Sequence, residues 1–181
     1  QLETAVKKAT AAGFQVCVHA IGDAANRAVL DAYAAAPGER NRIEHAQVVD
    51  PADWPRFEKQ KVIASMQPTH WTSDMDWAEA RLGPKRIAGA YAWRSLKNKG
   101  ARLAFGSDFP VELPDPLNGL IAAVQRGGQR MSEAMTPEEA LRGFTSDAAY
   151  AAFQEGDRGT LEAGKLADFV IMQGDPLKDA S

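Results

Sequence analysis

The sequence predicts an α/β fold with parallel strands, and three observations carry this prediction. Short apolar runs recur along the chain, each run ends at a polar residue, and a helical repeat of apolar residues follows each one. Because parallel strands need helical crossovers, this alternation indicates consecutive β-α units in one sheet. The 181 residues allow one full domain or part of a larger one.

The composition excludes several classes of protein. Apolar residues make up 45% of the chain and charged residues 25%, which is typical of a well-cored soluble protein. A net charge of -3, with basic residues scattered among acids, indicates no nucleic-acid partner. We expect no membrane span and, since no signal peptide opens the sequence, a cytoplasmic location. Cys17 is the single cysteine, which excludes an internal disulfide, and we expect it in the core.

The first β-α unit ends its strand at a histidine. A helix over residues 2–12 precedes a predicted strand over residues 14–18, which delivers His19. Asp23 is the expected N-cap of the next helix, whose apolar residues follow the helical period.

The second unit repeats this arrangement. A short strand over residues 42–44 delivers His45, and Asp50 with Pro51 predicts a helix cap and first helical position. The third strand, over residues 62–66, completes the next step.

An aromatic connection follows the third strand. We expect residues 71–83 to form a loop that shapes a pocket, with Trp71 and Trp77 serving either as an apolar substrate wall or as packing. A helix over residues 84–100 is then predicted from its opening proline and closing glycine.

The fourth strand presents an acid at its end. The run over residues 103–105 breaks at Gly106 and presents Ser107 and Asp108 before Pro110, which cannot continue a sheet ladder. Catalytic groups collect at the carboxyl ends of parallel strands, although a strand-ending aspartate also serves as a turn or helix cap. A helix follows, then another helix from Thr136 and Pro137. Residues 159–172 predict short strands.

The three polar residues at strand ends suggest chemistry when taken together. Two imidazoles, from His19 and His45, and the carboxylate of Asp108 suit zinc or a similar divalent ion. Such an ion lowers the pKa of water toward ~7 while a nearby carboxylate takes the proton. The residues therefore predict a metal-dependent hydrolytic site, and structural, hydrogen-bonded histidines remain the alternative.

Five segments of the sequence carry a family resemblance. They are residues 18–23 (Val-His-Ala-Ile-Gly-Asp), 42–47 (Arg-Ile-Glu-His-Ala-Gln), 66–70 (Met-Gln-Pro-Thr-His), 105–111 (Phe-Gly-Ser-Asp-Phe-Pro-Val) and 159–170. Together they resemble the amidohydrolase superfamily, most closely its amidohydrolase-3 branch of YtcJ-like proteins and N-substituted formamide deformylases.

The resemblance implies a (β/α)8 barrel of the TIM type. Residues 1–157 match strands five to eight with their helices, and residues 158–181 match a small β segment of the accessory β-sandwich. His19 and His45 match the family's histidine ligands after strands five and six. Asp108 matches the acid after strand eight, which binds metal or water and acts as general base.

Further site residues follow from the same resemblance, namely Gln67, His70, Asp74 and Asp23, which are expected to bind substrate. The implied activity is metal-dependent hydrolysis of non-peptide, amide-type carbon–nitrogen bonds in a small molecule. Zinc is the preferred ion, with iron, manganese and nickel left open.

One departure from the family concerns its missing residues. The chain has no His-x-His pair, which the family carries after its first strand. Four parallel strands also leave two open edges, so we expect a homo-oligomer or pairing with an amino-terminal half. The alternative function is a non-catalytic half-barrel fragment or assembly domain without metal.

Overall fold

A computed structural model describes residues 1–179. Its four strands are β1 (Cys17–Ala20), β2 (Arg42–His45), β3 (Ile63–Met66) and β4 (Arg102–Phe105). They form one sheet in the order β1-β2-β3-β4. β1 pairs with β2, and β2 with β3, in parallel register. The predicted α/β fold is therefore confirmed.

Helices connect and follow these strands. Among the described residues they are α1 (Leu2–Ala11), α2 (Asp23–Ala35), α3 (Trp54–Lys59), α4 (Pro68–Arg86), α5 (Trp93–Asn98), α6 (Pro116–Gln125), α7 (Pro137–Phe144), α8 (Ser146–Ala151) and α9 (Pro176–Asp179). No helix within residues 1–179 is long and apolar enough to cross a membrane.

The chain divides into two compact units. The first unit comprises residues 1–66 and 76–103, and the second comprises residues 67–75 and those from 104 onward. In the first unit α1 packs on α2 and α3 on α5. Its largest fully buried side chains include Tyr33, Phe57 and Trp93. Their burial supplies the main driving force for this unit, at roughly 2–3 kcal/mol for a large apolar side chain.

The second unit packs α6, α7 and α8 around aromatic residues. Trp71 is buried, and its indole nitrogen donates to the carbonyl of Arg126, whose guanidinium lies 4.6 Å from the Trp71 ring centroid. Trp71 is therefore packing, as one of the two sequence interpretations held. Phe105 at the end of β4 lies 5.6 Å from the ring of Phe144.

Residues 71–83 form a helix, so the predicted loop is wrong. They belong to α4, whose helical geometry breaks at Gly83 with φ of 74°. Pro68 supplies a favourable first position. The stretch also lacks β-branched runs, and its buried residues Trp71 and Ala78 lie seven positions apart, on one helical face.

Residues 84–100 do not form one helix, which corrects a second prediction. A short 3₁₀ turn over Ile87–Gly89 precedes α5. A Cβ on Gly89 would lie 2.1 Å from the carbonyl oxygen of Val49. The backbone NH of Tyr91 donates to the carbonyl of Gln47 at 2.7 Å. These contacts hold the backbone outside helical geometry.

The first strand begins later than predicted, and its cysteine is exposed. β1 starts at Cys17, while Phe14 lies outside it with 68% of its surface exposed. β1 is the first strand in the sheet order. Because side chains alternate between the two faces of a strand, Cys17 and His19 share one face of β1, and both are exposed. The predicted core position of Cys17 is therefore wrong. The N-cap of α2 is Gly22 rather than Asp23.

The stretch over residues 159–172 contains no strand in this structure, in contrast to the sequence prediction. Val170 and Ile171 are more than 80% exposed. A strand needs a neighbour for its backbone hydrogen bonds, and the sheet of the described residues does not include this stretch. The assignment of residues 158–181 to an accessory β-sandwich stays a prediction, and its last two residues lie outside the described range.

Candidate functional site

Two histidines lie side by side in the first unit. His19 is in β1 and His45 ends β2, and the parallel register places them on neighbouring strands. Their ring centroids are 4.4 Å apart, with the planes at 74° in an edge-to-face arrangement. His45 is buried and His19 is exposed. Two imidazoles at this separation suit binding of one ion, because zinc binds imidazole nitrogens at about 2.0–2.1 Å.

The backbone at His45 is strained. His45 has φ of 78° and the following Ala46 has φ of 43°, a left-handed conformation that residues with a Cβ adopt rarely. Such positions cost on the order of 1–3 kcal/mol each and persist where surrounding contacts hold them. Here the NH of Val48 donates to Ile21 at 2.8 Å. The His45 conformation is therefore imposed by tertiary contacts, as is common at functional sites.

The second unit brings an imidazole and a carboxylate together. His70 lies in the first turn of α4, and Asp108 follows β4 with φ of 59°. The Nε2 atom of His70 is 3.9 Å from Oδ2 of Asp108, which is ion-pair distance rather than hydrogen-bond distance. The side chain of His70 is 11% exposed and that of Asp108 is 40% exposed. A carboxylate with this exposure is accessible to solvent and to a substrate.

A small cavity lies in the second unit beside this pair. Its volume is about 180 Å³, and Thr69 and Ser107 in its wall directly precede His70 and Asp108 in the chain. The Thr69 hydroxyl is buried, and no hydrogen-bond partner for it is found among residues 1–179. The other lining residues are Gly106, Pro114, Asp115, Pro116, Gly119 and Phe144. The cavity suits a small, mainly apolar group with one hydrogen-bonding atom.

Thr69 is a candidate site residue that the sequence pattern does not predict. The available signal was its place in the polar run that follows β3, directly before a histidine. Thr69 is identified only by the cavity, because the cavity wall is formed by residues that are distant in the sequence.

The predicted substrate residues have different surroundings. Gln67 is buried directly after β3. Its backbone carbonyl accepts a hydrogen bond from the backbone NH of His70 at 3.1 Å. Asp74 lies one turn beyond His70 on α4 and is half-buried. In the first unit, Asp23 forms a two-point ion pair with Arg86 at 2.8 and 3.1 Å. The hydrogen bond from Arg86 holds the pKa of Asp23 below its usual range. Asp23 is thus already engaged by a cation.

An ion pair flanks His19 on the neighbouring strand. The register places Glu44 opposite His19, and Arg42 donates from Nε to Oε1 of Glu44 at 2.8 Å. Glu44 is therefore ion-paired. The guanidinium of Arg42 is engaged by Glu44 of the same strand.

The donor atoms fit a divalent ion. The first unit holds two adjacent imidazoles, and the second holds an imidazole with a carboxylate. Nitrogen and carboxylate donors of this kind bind zinc and similar ions. The side chains present are therefore chemically compatible with the metal that the sequence predicts.

Comparison with known proteins identifies related chains. A family model described as the amidohydrolase family matches residues 1–179. The chain is 43% identical over 173 residues to Protein LONG AFTER FAR-RED 3 of Arabidopsis thaliana, covering 88% of this chain and 30% of that protein. It is 37% identical over 182 residues to the putative amidohydrolase YtcJ of Bacillus subtilis, covering 94% and 34%.

Solved structures also include hydrolases that are similar to this chain. An uncharacterized metal-dependent hydrolase from Pyrococcus furiosus is 36% identical, with a TM-score of 0.87 over 97% of this chain and 37% of that one. The chain thus spans about a third of the length of the proteins it matches. The likeness confirms the predicted fold class, a part of a TIM-type barrel.

Proposed function

Since this chain belongs to the amidohydrolase family, and specifically to its amidohydrolase-3 branch, we propose that it is part of a metal-dependent hydrolase of amide-type carbon–nitrogen bonds. The observation that carries the proposal is the close pair of His19 and His45 on neighbouring parallel strands, beside the strained backbone of His45 and Ala46. Backbone strain of this kind clusters at functional sites.

The proposed ligands are His19, His45 and Asp108, with zinc as the preferred ion. A divalent ion held by them supplies Lewis-acid activation of water and of a substrate carbonyl. The buried His45 and exposed His19 support this assignment, since one is fixed by packing and the other is accessible.

Asp108 is the proposed general base. Its carboxylate takes a proton from the attacking water as the new carbon–oxygen bond forms. It then returns that proton to the nitrogen as the carbon–nitrogen bond breaks, so that the products are a carboxylic acid and an amine. His70, whose Nε2 lies 3.9 Å from Oδ2 of Asp108, is proposed to orient that carboxylate.

The cavity beside Asp108 is the proposed site for a small substituent of the substrate. Its mainly apolar wall favours a short alkyl or similar group, and the Thr69 hydroxyl offers one hydrogen bond. Gln67 and Asp74 are proposed to contact the polar part of the substrate. Asp23 can contribute only if it shares its carboxylate with Arg86.

A second candidate function is a non-catalytic half-barrel or assembly domain. The chain covers about a third of its relatives, and β1 and β4 end the sheet of the described residues, which favours pairing with another chain. That partner would be a second copy or the remainder of the barrel. A cytoplasmic location is likewise proposed from the sequence alone.

Metal retention separates the two functions. We expect nearly one zinc ion per chain after zinc loading and desalting of the wild type, and loss of that zinc in His19→Ala and in Asp108→Ala. Asp157→Ala is the matched control, since this exposed aspartate lies elsewhere in the second unit and should leave zinc binding unchanged. A folded wild type that retains no zinc would favour the non-catalytic domain.

A further inference from the structure

Asn26 is a fully buried polar residue in the first turn of α2. Its side-chain nitrogen lies close to four backbone carbonyl oxygens. The distances are 3.0 Å to Gly22, 3.1 Å to Val48, 3.2 Å to Ile21 and 3.3 Å to Ala20. One amide group therefore serves as the hydrogen-bonding centre for two separate segments of the chain.

Only a donor can occupy this position. Rotating the Asn26 amide would place its oxygen against four acceptors, so the nitrogen must face them. The two N–H groups of the Asn26 amide are shared among the four carbonyls. Its Oδ1 atom is buried, and no partner for it is found among residues 1–179. A buried acceptor without a partner is costly, so its presence indicates that the donor function is the one that matters.

The bound carbonyls lie in the segments that follow the two histidines. Residues 20–22 come directly after His19, and Val48 comes three residues after His45. A direct bond from the NH of Val48 to Ile21 joins the same two segments. Asn26 therefore links the backbone beyond β1 to the backbone beyond β2.

The strained conformation at His45 and Ala46 needs this support. On the other side of the segment, Tyr91 donates to Gln47 and Val49 donates to Gly89. Asn26 adds its contacts with the carbonyls of residues 20–22 and of Val48 to the single Val48–Ile21 backbone bond between these segments. Without Asn26, that bond and the strand ladder alone hold the two strand ends together, and the ring separation of 4.4 Å is less tightly enforced.

We propose that Asn26 is a positioning residue that holds the His19–His45 pair in its metal-binding geometry. The inference rests on the proposed function in one respect, because it takes the pair to be a metal-ligand pair. Supporting residues around metal ligands typically change affinity by about 10–100-fold when they are substituted.

The test uses Asn26→Ala and Asn26→Asp. The first removes the amide, and the second keeps its size but removes both donors. The matched control is Asn41→Ala, because Asn41 is also buried and also links β1 to β2. Its Oδ1 accepts from the NH of Val16 at 3.0 Å, at the opposite, amino-terminal end of these strands.

Two readouts are measured on each folded variant. The first is the set of NMR chemical shifts of the carbon-bound imidazole protons, measured without metal and assigned with the help of His70→Ala. In an edge-to-face ring pair, the proton at the edge of one ring lies over the face of the other and is shifted upfield. The second is the zinc dissociation constant by competition with a chelator. We expect Asn26→Ala to lose the upfield shift and to bind zinc about 10–100-fold more weakly, with Asn41→Ala unchanged in both.

The outcomes separate the two proposals. Unchanged ring shifts in a folded Asn26 variant would overturn the positioning role, whether or not the wild type binds zinc. Absence of zinc binding in the wild type, with ring shifts lost in Asn26→Ala, would overturn the metal function alone. If both Asn26 variants unfold, the test is made on the wild type, by following its side-chain amide NMR signals as zinc is added. Zinc should then shift the side-chain amide signals of Asn26 and leave those of Asn41 in place, and equal responses would refute the proposal.

Discussion

Gly143→Ala should destabilise the second unit by steric overlap with Phe105. A Cβ at Gly143 would lie 2.3 Å from Cδ2 and 2.8 Å from Cε2 of that ring. Carbon atoms in contact are about 3.5–4.0 Å apart, so the ring must move by roughly 1.2 Å or α7 must shift. Phe105 is buried and also meets the ring of Phe144, which leaves little room for relaxation.

The expected magnitude is the difference of two effects. Overpacking a buried site costs about 1–3 kcal/mol, and an overlap as close as 2.3 Å with a buried ring belongs to the upper part of that range, about 2–3 kcal/mol. Alanine is favoured over glycine within a helix by about 0.8–1.0 kcal/mol, which offsets part of that cost. The net loss is therefore about 1–2 kcal/mol, which corresponds to a decrease in Tm of roughly 2–8 °C in a chain of this size.

Urea denaturation of Gly143→Ala and Gly156→Ala measures this effect. Gly156 is the control, because it is exposed and a Cβ there meets nothing within 4 Å. The Gly143 variant should have a lower urea midpoint with an unchanged slope, and the control should match the wild type. If Gly143→Ala were as stable as the wild type or more so, the ring would be free to move at no cost and the packing argument would be wrong.

Two further predictions concern the first unit. Removing the hydroxyl of Tyr33, which lies 2.6 Å from the carbonyl of Arg42, should lower the free energy of unfolding by about 1–2 kcal/mol. Urea denaturation of Tyr33→Phe checks this, and a loss below about 0.3 kcal/mol would contradict the contact. The Asp23–Arg86 pair should stabilise the fold only modestly, since both side chains are partly exposed. Because the pKa of Asp23 is lowered in the folded state, this contribution is present above the ordinary aspartate pKa and is lost as pH falls through the folded value. The stability difference between wild type and Asp23→Asn should therefore be measurable at pH 7 and shrink below about pH 4, and a difference that grows there would refute the assignment.

Local signals predicted much of the fold correctly. The Thr136–Glu139 capping box and the Asp50 cap are present as the sequence indicates. These motifs depend on residues within one helical turn, so the sequence alone can identify them. The strand ends that carry His19 and His45 follow in the same way from short apolar runs broken by polar residues.

Other features depend on distant contacts and escaped sequence analysis. The break after Gly89 is set by the backbone near Val49, which lies 40 positions away in the chain. Asp23 was predicted as a helix cap, and it instead pairs with Arg86, a residue that no local pattern connects to it.

The sequence by itself determined the order of β-α units and the kinds of donor side chain at their strand ends, because period, turn residues and caps act over a few residues. Only the tertiary structure decided how His19 meets His45, how Asn26 links the segments beyond them, and where the cavity beside Asp108 lies. Each of these depends on atoms brought together from separate parts of the chain, where packing and hydrogen bonding override local preference.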